Sequence, residues 1–262
     1  MNRIDVKFRE LKRRDKKAFI AYVTAGDPDI AVTEKIVLAL ERSGVDIVEL
    51  GIPFSDPVAD GPTIQAASQR ALKRGANLVK IFALVRRLRN STEIPLVFMT
   101  YYNPVLSYGI KRFFDSCRNC GVDGIIVPDL PPEEAGDLIR YARIAKVATI
   151  FLTAPTSTTI RIKKITDRCR GFVYHVSLTG VTGARSKLPS EVIEKVKQIK
   201  AVTDKPIAVG FGVSSPKEAR RISGFADGVI VGSAIIKVLD ASRYPASSIY
   251  KFSKKIAMAI HA

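Results

Sequence analysis

Short apolar segments recur along the chain, each separated from the next by a polar or amphipathic segment of helical length. Continuous apolar runs between such segments predict parallel strands that helices cover on both faces. About eight strand–helix units in roughly 250 residues are typical of an α/β protein with a (β/α)8 TIM barrel. The predicted strands are 18–24, 45–50, 96–100, 124–128, 148–152, 172–177, 206–210 and 228–232.

The alternation continues evenly through the chain, without a linker or a low-complexity stretch. We therefore expect a single barrel domain over residues 1–262. Ile4, Phe8 and Leu11 lie at helical spacing, so we also expect a helix within residues 1–17 that caps the barrel. A doubly wound open sheet is the alternative, although no GxGxxG fingerprint follows the first strand.

The net charge of +17 is high and is compatible with a nucleic-acid surface, an anionic substrate or a solvated exterior. Its Lys and Arg residues cluster at 86–89, 161–164 and 251–255, which we interpret as outer helices. We therefore expect no nucleic-acid partner; the opposing hypothesis predicts generic binding that weakens steeply with salt. The sequence has no apolar run of about eighteen residues and no leader pattern, so we expect a cytoplasmic chain without membrane contact.

Two of the three cysteines, Cys117 and Cys120, have CxxC spacing, which invites a redox or zinc interpretation. They fall within a helix-like run, and a second CxxC does not follow. His175 and His261 are far apart in sequence. We expect no metal site and interpret the cysteines as two thiols one helical turn apart.

The segment VELGIPFSDPVADGPTIQ, residues 48–65, combines the end of a strand with a loop rich in Pro and Asp. It contains Glu49 near the end of the strand and Asp60 at the far side of the loop. A carboxylate on a buried strand must be paired, protonated or functional. Catalytic groups of (β/α)8 barrels lie at the C-terminal ends of the strands, and both carboxylates are predicted there.

Glycines follow the last two predicted strands, as GFG at 210–212 and GSA at 232–234. Barrel enzymes often bind phosphate with these two loops, through backbone N–H groups and a helix N-terminus. The long loop 178–189 is rich in Gly and is a candidate lid. Together with the two carboxylates and Tyr174, this pattern favours proton-transfer chemistry on a phosphorylated small molecule, by isomerisation or carbon–carbon cleavage.

The chain closely resembles the tryptophan synthase α chain family from about residue 18 to 239. The segment 48–65 is the most specific part of that resemblance. The other motifs are YVTAGDPD at 22–29, TYYNPV at 100–105, GIIVPDLPPEEA at 124–135, APTST at 154–158, GVTGAR at 180–185, GFGVSSP at 210–216 and GSAII at 232–236.

This resemblance implies a lyase of tryptophan biosynthesis that cleaves indole-3-glycerol phosphate to indole and glyceraldehyde 3-phosphate by a retro-aldol reaction. It implies that Glu49 is the general acid and base, that Asp60 binds the indole N–H, and that Tyr174 lies beside them. The residues that it implies for substrate binding are Tyr22, Met99, Ile126, Leu152, Thr182, Gly183, Gly210, Phe211, Gly212, Ile230, Gly232 and Ser233. Position 22 departs from the family pattern, since many members have Phe there.

The resemblance also implies a partner, a β chain that carries pyridoxal phosphate (PLP), in an αββα heterotetramer. No cofactor is expected in this chain. The segments implied to face the partner are 53–56, 101–105 and 129–133. Two further enzyme-related hypotheses are a different phosphate-binding barrel, such as an isomerase of the same pathway, and a degenerate barrel kept for regulation. Intact Glu49 and Asp60 argue against both.

Overall fold

The computed structural model describes residues 1–176, 190–210 and 212–262. Nine parallel strands form one sheet, and helices connect them in the described part of the chain. The strands are β1 (Ala18–Thr24), β2 (Ile47–Gly51), β3 (Leu96–Met99), β4 (Gly124–Ile126), β5 (Ala148–Ile150), β6 (Leu152–Thr153), β7 (Val173–Val176), β8 (Ile207–Gly210) and β9 (Gly228–Val231).

The described helices surround this sheet. Five of them begin at a residue whose side chain caps the helix, such as Asp29, which accepts a hydrogen bond from the N–H of Val32. They are α1 (Arg3–Arg13), α2 (Ile30–Arg42), α3 (Pro62–Lys73), α4 (Leu78–Leu88), α5 (Tyr102–Tyr108), α6 (Ile110–Cys120), α7 (Gly136–Ala145), α8 (Thr159–Arg168), α9 (Ser190–Lys200), α10 (Pro216–Ser223), α11 (Ser233–Asp240) and α12 (Pro245–His261).

The strand order β5-β4-β3-β2-β1-β9-β8-β7-β6 brings the two ends of the sheet together. Phe151 alone separates β5, which pairs with β4, from β6, which pairs with β7. Its carbonyl accepts a hydrogen bond from the N–H of Tyr174, so the fifth predicted strand is divided between two neighbours. The barrel prediction is confirmed, and the open doubly wound sheet is not the fold that forms.

The barrel interior is filled by inward-facing side chains, which include Ile20, Ile47 and Val97. Helix α1 adds Ile4, Phe8 and Leu11 to the same cluster. The Cδ1 atom of Ile4 lies 2.9 Å from the place that a Cβ on Gly124 would occupy. The absence of that side chain lets α1 pack directly across the N-terminal ends of the strands.

The basic segments lie on the outer helices, as the sequence indicates. Arg86 and Arg87 are exposed on α4, Lys163 and Lys164 on α8, and three lysines on α12. Cys117 and Cys120 are buried on one side of α6, one turn apart, and burial raises the pKa of Cys120 to about 11. None of the described helices combines the length and apolar character needed to span a bilayer.

A buried ion pair joins α4 to the bottom of the barrel. The Asp123 carboxylate is 3% exposed and accepts hydrogen bonds from Arg89 Nη2 at 2.7 Å and from the Leu96 N–H at 2.9 Å. Arg3 of α1 reaches the same carboxylate at 3.1 Å. Arg89 also donates to the carbonyl of Ile94 at 2.7 Å. This network fastens β3, β4, α1 and α4 to one another.

We expect Arg89→Met to lower the free energy of unfolding by about 3 kcal/mol, because it leaves the Asp123 carboxylate buried without its closest cation. Urea denaturation followed by circular dichroism measures this loss. The matched control is Arg87→Met on the same helix, where the ion pair with Glu34 is partly solvated. That control is expected to cost less than about 1 kcal/mol. Equal losses in the two variants would contradict this account.

Candidate active site

Glu49 lies on β2 near the C-terminal ends of the strands, where its neighbours in register are Tyr22 of β1 and Val97 of β3. Its side chain is 0% exposed. Neither carboxylate oxygen has a hydrogen-bond partner among the residues that the structure describes. Burial raises the pKa of Glu49 to about 8. A carboxyl group in this environment is protonated at neutral pH and can act as a proton donor.

Asp60 lies on the loop between β2 and α3. Its N–H donates to the carbonyl of Pro57 at 3.0 Å, and its own carbonyl accepts a hydrogen bond from Gln65 Nε2 at 2.8 Å. Burial raises the pKa of the Asp60 carboxyl to about 6, and a hydrogen bond from the Tyr101 hydroxyl opposes that rise. At neutral pH most of Asp60 is therefore ionised, whereas most of Glu49 is protonated.

Tyr22 and Tyr174 are within electrostatic range of both carboxylates. Burial and the negative charges of Glu49 and Asp60 raise the pKa of each phenol. Two strand glycines make room for the rings. A Cβ on Gly51 would overlap the Tyr22 hydroxyl, and a Cβ on Gly210 would lie 2.8 Å from the Tyr174 hydroxyl. Both phenols therefore remain protonated and can donate hydrogen bonds into the mouth of the barrel.

Apolar side chains line the inside of the barrel near these polar groups. Ile126 and Ile230 are buried in the interior cluster, and Met99, Leu152 and Tyr174 pack against it from partly buried positions. Met99 and Ile126 are in register on adjacent strands. The structure thus brings four of the five apolar substrate residues together with Tyr174, and the fifth, Tyr22, lies beside Glu49. This arrangement can accept a flat apolar ring.

The glycines predicted to bind phosphate lie at the adjacent ends of β8 and β9. Gly210 is in register with Ile230, and Gly212 has a φ of +59°, which favours glycine. Gly232 directly precedes α11, which begins at Ser233. A helix N-terminus with a neighbouring glycine turn suits an anion. The predicted contacts of Thr182, Gly183 and Phe211, and the lid 178–189, lie outside the described residues.

Tyr101 is a side chain near the Asp60 carboxylate that the sequence pattern did not assign to catalysis. The pattern placed it at the end of a strand and in a segment that faces the partner. The structure adds a hydrogen bond from the N–H of Ala59 to the Tyr101 hydroxyl at 2.9 Å and a ring contact with Phe54 at 5.5 Å. A tyrosine that directly follows a barrel strand, with an acidic loop after the preceding strand, is the signal that could have identified it.

The three segments predicted to face a partner lie at this mouth. The Asp129 carboxylate accepts the N–H of Tyr102 at 3.0 and 3.1 Å, which ties the segment 129–133 to 101–105. The Phe54 ring ties 53–56 to the same segment. Val58 and Leu106 beside them are exposed, with 82% and 49% of their surface open. Two apolar side chains are therefore exposed at the mouth of the barrel, beside the segments predicted to face a partner.

Comparison with known proteins gives the family. A sequence model described as the tryptophan synthase alpha chain matches residues 8–260. The tryptophan synthase alpha chain of Caldanaerobacter subterraneus subsp. tengcongensis is 52% identical over 237 residues, 90% of each chain. That of Geotalea uraniireducens is 49% identical over 243 residues, 93% of this chain and 91% of the relative.

Solved structures agree with this result. Tryptophan synthase subunit alpha from Legionella pneumophila superimposes with a TM-score of 0.93 at 37% identity, over 99% of this chain and 98% of the other. Tryptophan synthase from Mycobacterium tuberculosis gives 0.92 at 37% identity, over 100% and 99% of the two chains. With a barrel of this form and two inward carboxylates at its mouth, the chain belongs to the tryptophan synthase alpha chain family.

Proposed function

We propose that this chain performs the lyase reaction of its family through Glu49 and Asp60, held in opposite protonation states. The reaction cleaves indole-3-glycerol phosphate into indole and glyceraldehyde 3-phosphate. The observation that carries the proposal is the Glu49 carboxyl, which is fully buried and has no described hydrogen-bond partner. It acts electrostatically on the same two phenols, Tyr22 and Tyr174, as the largely ionised Asp60. Purely structural buried carboxyl groups are normally paired.

In the first step, protonated Glu49 gives its proton to C3 of the indole ring, which makes that carbon tetrahedral. Positive charge develops on the ring nitrogen, and ionised Asp60 accepts a hydrogen bond from that N–H and stabilises the charge. The protonated Tyr22 and Tyr174 phenols can orient the ring and the glycerol chain without competing as bases, because their pKa values are raised.

In the second step, the Glu49 carboxylate takes the proton from the glycerol C3′ hydroxyl. The oxygen forms a carbonyl, and the bond between C3 and C3′ breaks. Its electron pair restores the C2–C3 double bond of indole and neutralises the ring nitrogen. Glu49 ends the cycle protonated, as it began, so the step balances without another reagent. One residue thus serves as acid and then as base.

Binding of the substrate divides between the apolar side chains inside the barrel and the glycine turns. The indole ring would contact the apolar side chains of Met99, Ile126, Leu152 and Ile230, since small-molecule pockets are lined mainly by such side chains. Gly210, Gly212, Gly232 and Ser233 would hold the phosphate at the start of α11, together with Thr182, Gly183 and Phe211 from outside the described residues. We infer that residues 1–262 act as one domain, capped by α1.

As an alpha chain, the protein has a β chain as its partner, and PLP belongs to that partner. We infer an αββα tetramer in the cytoplasm, with the partner seated on the rim formed by 53–56, 101–105 and 129–133, and indole passed to it for tryptophan synthesis. The support is the apolar exposure of Val58 and Leu106 at the mouth of the barrel.

The test is indole release from indole-3-glycerol phosphate by the purified chain, alone and with saturating β chain. We expect slow release by the isolated chain and an increase of about tenfold or more when the partner docks beside the catalytic loop. A rate that the β chain does not change would indicate a free-standing indole-releasing lyase. The absence of indole in both conditions would refute the lyase assignment itself.

A further inference from the structure

Helix α3 directly follows the loop that contains Asp60, and its first turns hold that loop. Gly61 precedes the helix and Pro62 is its first residue. The Gln65 side chain donates to the carbonyl of Asp60 at 2.8 Å, and the N–H of Gln65 donates to the carbonyl of Gly61 at 3.0 Å. The place of Asp60 at the mouth of the barrel therefore depends on where α3 lies.

The packing of α3 against the barrel is made mainly by small side chains. Its buried residues are Ala67, Ser68 and Ala71. Helix α4, the next in the chain, buries five apolar side chains that are all larger than alanine. Small side chains bury less apolar surface and form shallower ridges, so they fix the position of a helix less strictly. Another contact is needed to define how far α3 lies along the barrel.

Arg70 of α3 makes such a contact, and all three nitrogens of its guanidinium group take part. Nε and Nη2 donate to the two carboxylate oxygens of Asp27 at 2.9 and 2.8 Å, and Nη1 lies 3.1 Å from the Asp240 carboxylate. Asp27 is 4% exposed and lies in the loop between β1 and α2. A contact with two parallel hydrogen bonds is fixed in direction as well as in distance. It ties α3 to the loop after β1, and Asp240 ties it to the last residue of α11.

We propose that Arg70 is a positioning residue for Asp60: by fixing α3 against the loop after β1, it holds the Asp60 loop in place at the mouth of the barrel. Arg70 lies eight residues after Pro62, about 12 Å along the helix axis, and acts only through the helix. A shift of α3 at Arg70 is carried to its first turn. The inference rests on the proposed function for its effect on turnover, but its effect on the loop is independent of any reaction.

The first measurement is the hydrogen exchange of backbone amides in the full-length chain and in Arg70→Met, which removes both hydrogen bonds to Asp27. The N–H groups of Asp60 and Gln65 are hydrogen-bonded within the loop and the first turn of α3. We expect them to exchange at least about fivefold faster in the variant, because the loop opens more often when α3 is held less firmly. Faster exchange confined to the residues around position 70 would overturn the inference.

The second measurement is the rate of indole release with saturating β chain, under conditions in which urea denaturation shows the variant to be fully folded. In Arg70→Met we expect kcat to fall about tenfold with KM nearly unchanged, because a misplacement of about 1 Å can cost up to 10²-fold in rate. In an Asp60→Asn background the same change should lower kcat less than about twofold, since Arg70 acts through the position of Asp60. A tenfold loss in that background as well would indicate general damage to the fold and would overturn the inference.

The matched control is Arg74→Met. Arg74 follows the last residue of the same helix, and its exposed side chain has no ion-pair partner in the part of the chain that the structure describes. Neither the exchange of Asp60 and Gln65 nor the rate should change in this control; equal changes in both variants would contradict the proposed role.

If Arg70→Met does not fold, Asp27→Asn replaces it. This change weakens the same contact without leaving a buried carboxylate unpaired. It should give the same pattern of faster exchange and the same dependence of kcat on Asp60. The absence of either effect would count against the role of Arg70.

The two proposals fail separately. A wild-type chain that releases no indole, but in which the exchange of Asp60 and Gln65 responds to Arg70→Met, would refute the lyase proposal and leave this inference standing. A wild-type chain that releases indole, with the exchange of these two amides insensitive to the change, would do the reverse.

Discussion

Glu49→Gln is expected to lower indole release about 10³-fold, because glutamine has nearly the same shape and neither donates nor accepts the transferred proton. The assay is single-turnover formation of indole with saturating β chain, so that product release does not limit the rate. The matched control is Glu194→Gln on α9, a solvated carboxylate paired with Lys197 at 2.8 Å, which should be neutral. Activity within tenfold of wild type would remove Glu49 from the mechanism.

The same substitution is expected to make stability less sensitive to pH. The ordinary pKa of a glutamate, 4.5, applies to the unfolded chain, whereas the pKa of Glu49 in the folded chain is about 8. Between these values the unfolded state loses a proton that the folded state keeps, so the free energy of unfolding falls as pH rises. The loss in the free energy of unfolding reaches up to about 5 kcal/mol and persists above pH 8.

Glutamine carries no such cost. The gain in stability of Glu49→Gln over wild type should therefore grow between pH 5 and pH 9, as measured by urea denaturation at both values. Residues that are retained for catalysis often lower the stability of the fold, and we expect Glu49 to be such a residue. A gain that does not depend on pH would mean that Glu49 is ionised in the folded chain.

The pH profile of kcat/KM is expected to be bell-shaped, with limbs near pH 6 and pH 8. The active form holds Asp60 ionised and Glu49 protonated. Activity therefore rises as pH passes the pKa of Asp60, about 6, and falls as pH passes that of Glu49, about 8. Because the two carboxyl groups belong to one site, the apparent pKa values read from the two limbs describe the pair and not either residue alone.

Asp60→Asn separates the contributions to the acidic limb. The variant should lose about 10²-fold in rate, since an amide cannot stabilise the positive ring nitrogen as a carboxylate does. Its acidic limb should disappear. The phosphate of the substrate also titrates near pH 6, so a limb that persists unchanged in Asp60→Asn would belong to the substrate and not to the enzyme.

Much of the architecture could be predicted because strands and helices repeat in a pattern that has few solutions. The run Ala18–Thr24 is apolar throughout and is buried throughout, which only a covered parallel sheet allows. The CxxC pair was placed on a helix by its local pattern, and α6 contains it. Glu49 could be singled out because it is an acidic residue near the C-terminal end of a mainly apolar strand, whereas the other acidic residue of that segment, Asp46, lies at its start.

Other features depend on contacts between distant residues and have no local signature. The fifth strand is divided at Phe151, whose N–H meets Cys169 Sγ at 3.2 Å, eighteen residues later in the chain. The hydrogen bond from the Ala59 N–H to the Tyr101 hydroxyl depends on the path of a loop that lies 42 residues earlier in the chain. The different protonation of two similar carboxyl groups follows from burial, which a single sequence does not contain.

The way α1 closes the barrel has a consequence for biosynthesis. During translation α1 leaves the ribosome well before the residues it contacts, Gly124, Gly171 and Phe172. At a synthesis rate of about 5–20 residues per second, the apolar face of α1 remains unpacked for roughly 10–30 seconds, until the residues that it contacts have been synthesised. Ile4, Phe8 and Leu11 thus stay exposed to solvent during that time, and the barrel is closed at its N-terminal end only after most of its strands have been made.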